Sequence, residues 1–110
     1  MTVVDIFKDK EGRYEYFECY GHADDNAEEG EDIICAAISM LTINTINSLE
    51  ELAKADITYA AAEDGGELSC RFASPPDEKA ALLVDSMVLG LQSVRDTYGG
   101  EYLAINFKEE

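Results

Sequence analysis

His22 and Cys35 are the side chains whose types and spacing in this sequence point to chemistry. His22 is the only histidine among 110 residues, and Cys35 follows it thirteen positions later. A thiol and an imidazole within hydrogen-bond reach exchange a proton to give a thiolate and an imidazolium. The thiolate is the nucleophile. The imidazolium then protonates a leaving amine and later activates water. This is acyl-transfer chemistry, and hydrolysis of a peptide bond is its natural case. Spacing alone leaves a second reading open, in which Cys35 is a small buried hydrophobe of a helix and His22 a turn residue beside Gly21.

The elements around the pair are legible from periodicity. Residues 13–20 alternate as a strand, with Tyr14, Tyr16 and Glu18 on one face and Phe17 and Cys19 on the other. Residues 32–55 read as a long helix, because Ile34, Ile38, Leu41, Leu49 and Leu52 recur every three to four positions. Ile33, Ala37, Met40 and Ile43 widen the apolar arc, so much of this helix is expected to be buried. With Asp32 as its N-cap, Cys35 falls at the third helical position. Backbone N–H groups there lack helical partners and the dipole is positive. Both effects favour a thiolate, and the amides of Cys35 and Ala36 become candidate oxyanion donors. The joining loop is Ala23, Asp24, Asp25, Asn26, Ala27, Glu28, Glu29 and Gly30. Six acidic residues and no basic one lie between His22 and Cys35.

The rest of the chain supplies a scaffold. Residues 2–7 are rich in β-branched types, and the polar turn Lys8-Asp9-Lys10-Glu11-Gly12 joins them to the second strand as a hairpin. Residues 57–62 and 67–73 form another pair of strands around a turn at Glu63-Asp64-Gly65-Gly66. Ser74-Pro75-Pro76-Asp77-Glu78 opens a second helix, with Val84, Met87, Val88, Leu91, Val94 and Tyr98 as its stripe and Gly99-Gly100 at its end. Residues 102–107 are a last strand. The order is ββαββαβ. It predicts one domain over residues 1–110 of the α+β (α/β layered) class, a mixed five-strand sheet packed with two long helices. Spacing does not give the strand order.

Composition narrows the functions. The formal net charge is −16. It argues against nucleic-acid binding and favours a basic partner whose approach is electrostatically steered, or serves solubility alone. No run of eighteen apolar residues and no signal-like start are visible, so a cytoplasmic protein without a membrane span is expected. Cys19, Cys35 and Cys70 are widely spaced with no CxxC, against a disulfide framework. Cys19 and Cys70 are expected to pack in the core. Tyr14, Tyr16, Tyr59 and Tyr102 line a peptide groove or are ordinary strand residues, and Met40 and Met87 fill gaps. The acids are scattered around a single histidine, so no metal and no cofactor are expected.

Gly21-His22-Ala23, then Gly30, then Asp32-Ile33-Ile34-Cys35-Ala36-Ala37-Ile38-Ser39 resembles the motif of the ribosomal-processing cysteine protease (Prp) family, GHA followed by a short loop and GxDIVCAAxS. Size and element order extend the resemblance over essentially the whole chain. It implies a bacterial enzyme that removes a short N-terminal extension from the precursor of large-subunit ribosomal protein twenty-seven. It further implies Cys35 as nucleophile, His22 as its base, a mobile substrate loop over residues 23–30, and a homodimer. Asp32 orients the His22 ring, or only caps the helix. Ser39, one helical turn beyond Cys35, supports the site or bonds back to its own helix. The loop departs from the pattern, being about one residue longer, without an early glycine, and acidic. Two other classes remain: a non-catalytic acidic binding module or chaperone for a basic ribosomal protein, and a thiol redox sensor, which has no resolving cysteine nearby in sequence.

Overall fold

The computed structural model describes residues 1–21, 29–62 and 67–110, with the backbone alone at 29–32. Seven elements follow in the expected order: β1 (Thr2–Lys8), β2 (Tyr14–Tyr20), α1 (Glu29–Glu51), β3 (Ile57–Ala61), β4 (Glu67–Phe72), α2 (Glu78–Tyr98) and β5 (Leu103–Glu109). The strands form one sheet in the order β3-β4-β2-β1-β5. All neighbours are antiparallel except β1 and β5, which run parallel. The fold is therefore α+β with a mixed five-strand sheet and two long helices, as the element order predicts. The Glu63-Asp64-Gly65-Gly66 turn lies outside the described residues.

Local chemistry accounts for the turns and caps. Between β1 and β2, Asp9 accepts the N–H groups of Glu11 and Arg13 at 2.9 Å each, while Gly12 takes φ +81°, a backbone region open to glycine. α2 opens at the Ser74-Pro75-Pro76-Asp77-Glu78 run as expected, with Asp77 as its N-cap: its carboxylate accepts the Ala80 N–H at 2.9 Å. Gly99 ends the helix at φ +112°.

One face of the sheet carries the core. Val4, Ile6, Phe17, Cys70 and Leu103 from the strands meet Ile38, Leu49, Val84, Met87 and Leu91 from the two helices. The helices cross closely: a Cβ on Gly90 would stand 2.8 Å from a methyl carbon of Leu41. Tyr14 is buried here too, and its hydroxyl donates to Asp85 of α2.

α1 differs from expectation in three respects. It starts at Glu29, three residues before Asp32, so Asp32 is a helix residue and not the N-cap. Acidic residues at 29, 31 and 32 suit the positive end of the helix dipole, which favours the earlier start. It ends at Glu51 and not near Ala55, because Ala53 and Ala55 donate back to the Ser48 and Leu49 carbonyls and Lys54 turns to φ +53°. Ile33, Met40, Ile43 and Leu52 are exposed. The apolar arc is wider than the sheet can cover, so one stripe packs and the other faces outward. Ile33–Glu51 is long and apolar enough to cross a membrane, but its Ile34, Ile38, Ile46 and Leu49 are spent on the core.

The opposite sheet face is built around a buried carboxylate. Asp5, 1% exposed, accepts hydrogen bonds from the Tyr20 hydroxyl and the Asn106 amide at 2.9 Å each and from Lys108 at 3.4 Å. It thus joins β1 to both neighbours. Burial pushes its pKa up, but the Asn106, Tyr20 and Lys108 donors together outweigh burial and hold it below the ordinary 3.8. A carboxylate depressed in the folded state stabilises the fold above its unfolded pKa, and that stability is lost as pH falls through the native value. Urea denaturation should therefore show wild type losing stability below about pH 4, with a flatter acid limb for Asp5→Asn. Parallel limbs would exclude this role.

Candidate active site

α1 presents Cys35, Ile38, Ser39 and Thr42 along one side, at the three-to-four spacing of a helix face. Opposite them stand Cys19 of β2 and Leu68 of β4, which pair in register with each other. Together with Thr2, Gly21 and Ala61 they line a pocket of about 90 Å³. Most of its walls are apolar. Cys35 is half-buried in it, and its Sγ is 4.0 Å from the Thr2 hydroxyl. Thr42 takes no part in polar chemistry here, because its hydroxyl donates to the Ile38 carbonyl at 2.9 Å.

Gly21 is the constraint in the pocket wall. It has φ +76°, and a Cβ there would lie 2.6 Å from the Met1 carbonyl oxygen. That is backbone against backbone, so no side chain fits without moving the end of β2 or the start of β1. Gly21 is thereby fixed in the pocket wall. His22 itself and loop residues Ala23, Asp24, Asp25, Asn26, Ala27 and Glu28 lie outside the described residues, and at Glu29, Gly30 and Asp32 the backbone alone is described.

Ser39 lines the pocket on the same helix face as Cys35, as its spacing predicts. The oxyanion expectation needs correction. With α1 beginning at Glu29, Cys35 is its seventh residue. An amide that far inside donates to the carbonyl four residues back, so the N–H groups of Cys35 and Ala36 are committed within the helix in this conformation.

Cys19 is the residue that sequence reasoning underrated. It is packed as expected, yet only partly buried, and it shares the pocket with Cys35. Burial, with the charge of a neighbouring Cys35 thiolate as a smaller cause, pushes its thiol pKa up to about 11. Burial likewise lifts Cys70 to about 12. Both therefore stay protonated at neutral pH. Thr2 was also missed, because pairing of β1 with β2 carries it to the pocket and nothing in its local sequence signals that.

A model of the family described as "Cysteine protease Prp" matches residues 1–103. The chain belongs to the Prp cysteine protease family. The ribosomal processing cysteine protease Prp of Staphylococcus aureus is 31% identical over 110 residues, covering 98% of this chain and all of that one. Two crystal structures of the S. aureus Prp protease superpose closely. One, with a substrate peptide, has a TM-score of 0.88 at 27% identity. The other, with a covalently linked product peptide, has a TM-score of 0.87 at 29% identity. Each covers 98% of this chain and all of the crystallised one. Membership of Prp makes this chain a cysteine peptidase.

Two outcomes test the site. Gly21→Ala should lower stability by about 1–3 kcal/mol and reduce peptidase activity in the fraction that stays folded; a variant matching wild type in both would remove the constraint. At neutral pH, iodoacetamide should label Cys35 in the native protein well before Cys19 or Cys70, as read by peptide mapping. Equal labelling of Cys19 would contradict its protonated, packed state.

Proposed function

We propose that this chain is a single-domain endopeptidase that removes the N-terminal extension from the precursor of large-subunit ribosomal protein twenty-seven, with Cys35 as nucleophile and His22 as general base and acid. One observation carries the reading: the half-buried Cys35 thiol opens into an apolar pocket whose wall includes Gly21, the residue that precedes the only histidine.

The chemistry runs in two steps. The Cys35 thiolate attacks the scissile carbonyl carbon, and the resulting oxyanion collapses as imidazolium His22 gives its proton to the departing amine. The mature ribosomal protein leaves with a new N-terminus, and the extension remains as a thioester. Neutral His22 then takes a proton from water, the hydroxide adds to the thioester carbonyl, and the extension departs from a regenerated thiolate. Every atom is supplied by peptide, water and protein, so no cofactor or metal takes part. Asp32 and Ser39 are supporting residues in this scheme.

The pocket suits a nonpolar substrate side chain beside the scissile bond. The net charge of −16 and acidic residues 24, 25, 28 and 29 steer a basic ribosomal precursor toward the site. We place the reaction in the cytoplasm and the enzyme in a homodimer, with neither nucleic acid nor membrane as partner. The same charge fits a second reading, an acidic module that holds the basic precursor without cutting it.

Incubation with the precursor, followed by mass spectrometry of its N-terminus, separates the two. Wild type should release the extension, and Cys35→Ala should lower the rate by about a thousandfold or more while still binding. Precursor left intact by wild type, or cut equally by Cys35→Ala, would sink the peptidase assignment.

A further inference from the structure

β3 is an edge strand: among the described residues it pairs with β4 alone. The ladder tells which of its backbone groups are unused. The Ala62 N–H donates to the Glu67 carbonyl at 2.9 Å, and the Ala73 N–H to the Asp56 carbonyl at 2.9 Å. The register pairs Ile57 with Phe72, Tyr59 with Cys70 and Ala61 with Leu68. Hydrogen-bonded pairs alternate along an antiparallel ladder. Residues 56, 58, 60 and 62 therefore turn their N–H and C=O groups toward β4. Ile57, Tyr59 and Ala61 turn theirs outward, to the free edge.

Two usual guards against edge pairing are absent from the described residues of this strand. Its sequence, ITYAA, has no charge and no proline, whereas the other edge, β5, carries Lys108 and Glu109. The side chains of Ile57, Tyr59 and Ala61 lie on the helix side of the sheet, the side that holds Cys35. Ala61, at the end of β3, lines the Cys35 pocket together with Ile43 of α1. Tyr59 is 51% and Ile43 48% exposed, so apolar surface borders the open row of hydrogen-bonding groups.

We propose that the peptide substrate binds as an added β-strand along the free edge of β3, hydrogen-bonded to Ile57, Tyr59 and Ala61, so that it runs into the Cys35 pocket. The proposal rests on the peptidase reading and deepens it. An extended peptide is the occupant because the row offers a donor and an acceptor at every second residue, which is what a peptide backbone satisfies. The row is also continuous with the pocket that holds the nucleophile. Affinity then comes from main-chain bonds, while the pocket selects the side chain that faces the helices.

The test uses the full-length Cys35→Ala chain, so that binding is read apart from turnover. A fluorescein-labelled peptide spanning the precursor's extension junction is titrated and followed by anisotropy. Tyr59→Pro removes one outward N–H that the sheet's own ladder does not use, a change edge strands tolerate. Tyr59→Ala keeps that N–H and controls for the lost ring. The proline variant should bind about tenfold more weakly than the alanine variant, the loss expected for one hydrogen bond. Singly N-methylated peptides leave the protein untouched, and methylation should weaken binding at alternate positions only.

Equal affinity of the two variants together with no two-residue period would overturn the proposal. So would sedimentation showing that Tyr59→Pro splits a dimer while peptide affinity is unchanged, because the edge would then belong to a second copy. Failure of wild type to cut the precursor, with the alternating pattern intact, would remove the processing assignment and leave the added strand standing.

Discussion

Two backbones meet where no side chain can enter. The carbonyl of Met1 lies against Gly21, and the positive φ of that glycine lets the chain leave β2 without pushing β1 away. The pocket depends on this contact. Thr2 comes to the Cys35 thiol because β1 stays in register with β2, and Gly21 itself forms part of the pocket wall. A methyl group at position 21 would separate the two strands at the place where the nucleophile is approached.

The sheet divides its labour between faces. Toward the helices it offers Val4, Ile6, Phe17 and Cys70, whose burial drives folding. On the other side Asp5 collects three donors from the flanking strands. A buried carboxylate is costly unless its hydrogen bonds are satisfied, so the network fixes how β1 sits between β2 and β5. Nearby, Arg71 stacks 4.5 Å over the Tyr16 ring, and Phe7 packs against the same ring at 5.4 Å. The pocket thus rests on strands whose register is set from behind.

Much of this was readable from the residues. Alternation of Phe17 with Cys19 gave a strand, and the Ser74-Pro75-Pro76-Asp77-Glu78 opening and the Gly99-Gly100 stop bracketed α2. The placement of Ser39 on the face of Cys35 followed from helical spacing. Other features were not readable because they depend on contacts distant in sequence. Nothing local distinguishes Cys19, which lines the pocket, from Cys70, which is sealed in the core. Asp5 looks like a polar interruption in a β-branched run until Asn106 and Lys108 are opposite it. The start of α1 was misjudged because Asp32 is a good cap, yet the acids before it are equally good first-turn residues. The exposed Met40 and Ile43 show the limit of hydrophobic periodicity: it locates a helix but not how many of its apolar faces have something to cover.

The parallel pairing of β1 with β5 also governs when the pocket can exist. Asp5 and its partner Asn106 are separated by 101 positions, so the pairing at this edge of the sheet closes a loop nearly as long as the chain. Such distant contacts slow folding, since the entropy of closure is lost before the contact repays it. Until β5 docks, β1 has only one neighbour and Asp5 lacks two of its donors. The hairpin that carries Thr2, Cys19 and Gly21 is then held from one side only. During synthesis the support behind the nucleophile's pocket would therefore be completed late, after residues 103–109 are free to pair.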